Sequence, residues 1–105
     1  MEHYKATKVV IITEKLILEQ VAGVIESTGA KGYTVVAAGG KGSRGVRSAS
    51  RASVVDEFSN VKIEVITGDR EAANRIADEV AERFFDNYSG ITYLEEVEIL
   101  RPHKF

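Results

Sequence analysis

The chain has 105 residues and a mass of 11.5 kDa, which is room for one domain and excludes a large multidomain enzyme. Hydrophobic residues make up 44% and charged residues 29%, so residues 1–105 are expected to form a single globular domain, neither disordered nor built into a bilayer. Cysteine is absent, which removes disulfides, thiolate metal sites and cysteine nucleophiles together. His3 and His103 stand at opposite ends of the chain, an arrangement that does not favour a catalytic triad or an imidazole metal site. The net charge of −2 argues against a nucleic-acid binder held by a broad cationic surface. No basic segment followed by an apolar core opens the chain, and no apolar run reaches the roughly 18–20 residues that span a membrane, so a cytoplasmic protein is expected.

In chain order, Val9, Val10, Ile11 and Ile12 form a β-branched, uninterrupted run suited to a central strand covered on both faces. Thr13 is placed to cap a helix over residues 14–28, in which Leu18, Val21, Ala22 and Ile25 recur at helical spacing. Gly29 ends that helix as a left-handed cap. Gly23, costly inside a helix, is expected to mark the close approach of another backbone. Residues 33–38 read as a second strand, and Val61, Ile63 and Val65 alternate with Lys62 and Glu64 as a third with one wetter face. Asp69 is placed to cap a second helix, along which Ala73, Ile76, Ala77, Val80 and Phe84 make an apolar stripe. Residues 87–90 form a turn and 91–100 a fourth strand, whose period slips at Glu95 and Glu96 as a bulge would make it do. The order strand, helix, strand, strand, helix, strand predicts an α+β, ferredoxin-like βαββαβ sandwich with both helices on one face. Because residues 9–12 are apolar on both sides, the uncovered face is expected to meet another copy, a homo-oligomer; the alternative is a monomer that tolerates exposed valine.

The segment 39–57 joins two strands that an ordinary hairpin would connect with two to five residues. It carries four glycines (Gly39, Gly40, Gly42, Gly45), four serines and the cations Lys41, Arg44, Arg47 and Arg51 with no acid between residues 41 and 51. Residues 69–98, by contrast, hold nine acids against three arginines. A basic, glycine-rich loop on an acidic body seeks a partner of concentrated negative charge. Clustered glycines let successive backbone N–H groups converge, Ser43 adds a hydroxyl, and Arg44 and Arg47 can fork onto phosphate oxygens. The pattern is not a Walker A loop, since Lys41 is followed by Gly42 and the loop joins strands rather than opening a helix. Phosphoanion binding is favoured; a solvated loop and a contact with protein or RNA stay open. An RNA-binding module is disfavoured by the third strand, which offers no stacking ring. Glu95, Glu96 and Glu98 read as solvated strand carboxylates before they read as a cation site.

Four segments then fall into a pattern: Thr13-Glu14-Lys15; Gly29-Ala30-Lys31-Gly32-Tyr33-Thr34-Val35; Gly39-Gly40-Lys41-Gly42-Ser43-Arg44 with Arg47-Ser48; and Tyr88-Ser89-Gly90-Ile91. In this order and spacing, over residues 8–100, they closely resemble the SbtB-type PII-like signalling proteins of cyanobacteria. The resemblance implies a homotrimer of ferredoxin-like subunits that binds the adenine nucleotides cAMP, AMP, ADP and ATP in clefts between neighbours. It implies a T-loop at about residues 40–57, followed after the last strand by a short tail, 101–105. It further implies association with a sodium-dependent bicarbonate transporter at the plasma membrane, regulated through the T-loop in the CO2-concentrating mechanism. On this resemblance Gly42, Ser43, Arg44 and Arg47 would meet the phosphate, Tyr88, Ser89 and Gly90 would lie near the cleft, and Lys41 and Thr34 would join them. Some family members carry a C-terminal cysteine segment linked to redox sensing and slow hydrolysis; this sequence ends on Arg101-Pro102-His103-Lys104-Phe105. The expectation is therefore a sensor and not an enzyme, with no catalytic residue and no metal; the alternative is a slow adenine-nucleotide phosphohydrolase using the same cleft.

Overall fold

The computed structural model describes residues 2–39 and 59–100. Its elements run β1 (Tyr4–Glu14), a single 3-10 turn (Lys15–Ile17), α1 (Leu18–Ser27), β2 (Thr34–Ala38), β3 (Asn60–Thr67), α2 (Arg70–Phe84) and β4 (Gly90–Ile99). The strands form one antiparallel sheet in the order β2-β3-β1-β4, with both helices on one face, which is the predicted ferredoxin-like sandwich. The core lies between that face and the helices: Val9 and Ile11 of β1 and Val61, Ile63 and Val65 of β3 meet Val21, Val24 and Ile25 of α1 and Ile76, Val80 and Phe84 of α2. Burying a residue of this size contributes about 1.5–3 kcal/mol, so the stripe and the alternating strand together account for the layer arrangement.

Local chemistry explains several boundaries. Asp69 caps α2 as its sequence position predicts, its carboxylate accepting the Glu71 N–H at 2.9 Å. Gly29 takes a φ of 89° after α1, a backbone state that a side chain would strain.

Other expectations are corrected. Thr13 does not cap a helix: β1 continues through Glu14, and a 3-10 turn precedes α1, which has no side-chain cap bond at its start. The first strand also starts earlier than its apolar run, because Tyr4 to Lys8 are held by pairing with β4 from Ile99 to Glu95. No bulge interrupts β4, whose register against β1 runs unbroken from Tyr4 opposite Ile99 to Thr13 opposite Gly90. The slip at Glu95 and Glu96 marks a change of face: Leu94 packs on the helix-side core, whereas Val97 and Ile99 are half-buried on the opposite side. Gly23 meets no backbone; a Cβ built there has nothing within 4 Å among the described residues.

The face away from the helices presents Val36 of β2, Ile91 and Tyr93 of β4, exposed by 50%, 57% and 39%. Val10, on the same side of β1, is fully covered within the single chain, so the exposed apolar surface sits on the flanking strands. An ion-pair ladder crosses this face: Lys62 Nζ lies 3.6 Å from Glu64, and Lys8 Nζ bridges Glu64 at 3.9 Å and Glu95 at 3.1 Å. The hydrogen bond to Glu95 raises the Lys8 ammonium above its ordinary pKa.

Candidate functional site

Strand register fixes what lies beside the mouth of the long loop. Ala38 stands opposite Asn60, Asn60 opposite Glu14, and Thr13 opposite Gly90. The two ends of the loop, the end of β1 and the turn before β4 therefore share one end of the sheet.

The turn is built by the C-terminus of α2. Tyr88 N–H bonds to Phe84 C=O at 2.9 Å and Asn87 N–H to the same oxygen at 3.1 Å, and Phe85 and Tyr88 pack against the core. Gly90 makes room for Phe85, since a Cβ there would run into the ring. Ser89 is fixed on both sides of its peptide. Its N–H and its hydroxyl donate to Glu14 Oε2 at 2.8 and 3.3 Å, and its C=O accepts the Thr13 hydroxyl at 2.8 Å. Hydrogen bonds to a charged group contribute about 1.5–3 kcal/mol, so this clamp makes the turn one mechanical piece with the end of β1.

Thr34 is elsewhere. It opens β2, an edge strand, opposite Glu64 on the face away from the helices, about 13 Å along the strand from Ala38 at 3.3 Å per residue. Tyr33 beside it donates to Glu26 at 3.4 Å, and burial, with Glu26 second, raises its phenol pKa. Tyr88, Ser89 and Gly90 are thus brought together at the loop mouth, and Thr34 is not brought to them within one chain. Lys41, Gly42, Ser43, Arg44 and Arg47 lie outside the described residues. Glu14, read from the sequence as the first helical residue, emerges as the partner of the turn. Only its place in the Thr13-Glu14-Lys15 segment singled it out, because Ser89 is 75 residues away. A cleft of about 230 Å³ also opens at the other end of the sheet, lined in part by Thr28, Gly29, Thr67, Asp69 and Arg75; of the predicted site residues that are described, none borders it.

Comparison with known proteins agrees with this architecture. The family described as Nitrogen regulatory protein P-II matches residues 6–104. A PII-like signaling protein from Thermus thermophilus is 30% identical over 100% of this chain and 99% of its own, with a TM-score of 0.79. CPII from Thiomonas intermedia, solved bound to ADP and bicarbonate, is 27% identical over 99% of this chain and 97% of its own, with a TM-score of 0.79. A CPII structure with ADP, AMP and bicarbonate matches at 25% identity over 96% of this chain and 99% of its own, with a TM-score of 0.76.

Proposed function

The chain belongs to the nitrogen regulatory protein P-II family, and on that premise we propose that it is a signalling protein that senses adenine nucleotides in clefts between the subunits of a homotrimer. The observation that carries this reading is the gathering of both ends of the loop, Glu14 and the Tyr88-Ser89-Gly90 turn at one end of the sheet. Thr34 and that turn belong to opposite edges of the sheet; Thr34 stands level with Tyr93, so three strand spacings of about 14 Å and a further offset of about 10 Å along the strand separate it from Gly90. A nucleotide that touches both sets therefore lies between two copies. The apolar surface at Val36, Ile91 and Tyr93 supports self-association, since it needs a cover that one chain does not supply.

The ligand class is supported by the CPII structures, which hold ADP, AMP and bicarbonate, and by the phosphate chemistry of Gly42, Ser43, Arg44 and Arg47. The motif resemblance extends the ligands to cAMP and ATP and the subtype to the SbtB kind. In that reading the protein is cytoplasmic, acts as a sensor without catalysis, and docks through its T-loop on a sodium-dependent bicarbonate transporter at the plasma membrane. A nucleotide moves the loop only through unequal affinity for its states, so phosphate contacts at Arg44 and Arg47 are the coupling element.

Backbone-amide NMR during titration with AMP tests the placement. The reading expects saturable shifts at Ser89, Gly90 and Thr34 together, absent with GMP. Shifts confined to residues around the Thr67 and Asp69 cleft overturn it.

A further inference from the structure

The cleft of about 230 Å³ at the end of the sheet away from the loop mouth takes no part in the proposed nucleotide site. The end of α1, the end of β3 and the first turns of α2 enclose it, with Thr28, Gly29, Thr67, Asp69, Ala72 and Arg75 among its walls. Its volume equals the share of about seven waters at about 30 Å³ each, which admits a small polar molecule and not a nucleotide. Two opposite charges line it. Of the three arginines of α2, Arg70 bonds to Asn74 at 3.3 Å and Arg83 pairs with Glu79 at 3.0 Å. Arg75, the one in the cleft, has no partner among the described residues. Asp69 gives Oδ1 to the Glu71 N–H at 2.9 Å, so the start of α2 is already capped, and its second carboxylate oxygen is unbonded among the described residues. The α1 side contributes the last carbonyls of that helix, the negative end of its dipole. An anion without a positive group is opposed here by Asp69 and the end of α1, and a cation without a negative group by Arg75. A ligand that carries both charges suits both walls.

We propose that this cleft is a binding site for a small zwitterionic amino acid, whose carboxylate sits on the Arg75 guanidinium and whose ammonium sits on Asp69 and the carbonyl end of α1. Arginine offers a carboxylate two parallel N–H donors, and the volume limits the ligand to a short side chain. Both helices lie on the side of the sheet away from Val36, Ile91 and Tyr93, so covering that face does not of itself close the cleft. The site goes beyond nucleotide sensing and does not depend on it, since the two lie at opposite ends of the sheet.

The test is backbone-amide NMR of the full-length protein titrated with glycine, L-alanine and L-serine, and with propionate and ethylamine as probes that carry one charge each. At least one of the three amino acids is expected to give saturable shifts at Gly29, Gly68 and Ala72, with propionate and ethylamine at least tenfold weaker. Arg75→Gln, at an exposed position, and Asp69→Asn, which keeps an oxygen to accept the Glu71 N–H and so keeps the cap, are each expected to weaken that binding about tenfold. Glu79→Gln, outside the cleft, is expected to leave it unchanged. Shifts that rise without saturating, propionate or ethylamine binding as well as the amino acids, or full affinity in both cleft variants would each overturn the proposal. So would the absence of shifts at these amides with all three amino acids. Because the response to AMP is read at Ser89, Gly90 and Thr34 in the same spectra, failure here leaves nucleotide sensing standing, and failure there leaves this site standing.

Discussion

Gly90→Ala isolates the packing that shapes the turn. A Cβ at residue 90 would stand 2.6 Å from Cζ and 3.0 Å from Cδ1 of Phe85, and closer still to Cε1, inside any tolerable carbon contact. Phe85 is half-buried and packed on the core, so its ring has to rotate away or push the start of β4 outward. Overpacking of this kind costs about 1–3 kcal/mol, which for a domain of this size corresponds to about 4–8 °C of Tm per kcal/mol. The assay is urea unfolding followed by circular dichroism at one fixed protein concentration, because self-association makes stability depend on concentration. Phe85→Leu trims the obstructing ring, so the double variant Gly90→Ala with Phe85→Leu is expected to be more stable than the two single effects predict, by about 1 kcal/mol or more, within the range of about 0.5–3 kcal/mol for contacting residues. Additive effects, within about 0.5 kcal/mol, would refute the claim that Gly90 is a glycine because of Phe85.

Gly23→Ala is expected to stabilise the protein by about 0.5–1 kcal/mol, since the helix gains propensity and a Cβ there meets nothing within 4 Å among the described residues; a loss of stability in urea unfolding would show that another copy packs against this point. Ile91→Glu places a charge at the most exposed apolar position of the uncovered sheet face, and sedimentation velocity is expected to show the assembly replaced by smaller species, whereas an unchanged sedimentation coefficient would move the interface elsewhere. Lys8 has a pKa raised chiefly by its hydrogen bond to Glu95. The stabilisation linked to that raised value is present in full below the unfolded-chain pKa of about 10.4 and is lost as pH rises through the folded value. Glu95→Gln is expected to lower the Lys8 pKa in an NMR titration of its side chain, and an unmoved value would mean that Glu64 carries the pairing.

What could be read from residue order was whatever short-range chemistry decides. The stripe Ala73, Ile76, Val80, Phe84 and the cap Asp69 specify α2 within a few turns of chain, and the alternation of Val61, Ile63 and Val65 specifies β3. The first strand shows where that stops. Tyr4 to Lys8 have no apolar pattern of their own and become strand because β4 pairs with them, a partnership of residues some ninety positions apart. A comparable distance hides the candidate site: Thr13 and Glu14 resemble a helix start, and only the folded sheet brings Ser89, some 75 residues on, to them. Gly23 misleads for the opposite reason, since a glycine in a helix invites a packing explanation and, among the described residues, nothing comes within 4 Å of a Cβ built there. Residues 87–90 read as a turn from their composition, but neither that pattern nor the motif resemblance gave a reason for the glycine at its end, which Phe85 supplies.

Isothermal titration of the full-length protein with AMP, ADP, ATP, cAMP and a GTP control, repeated on Arg47→Ala, tests the central claim most directly. The account predicts selective binding of adenine nucleotides, weakened in Arg47→Ala by about 1.5–3 kcal/mol, the scale for losing a charged hydrogen-bond partner. Equal binding of GTP, or no binding of any nucleotide, would contradict it.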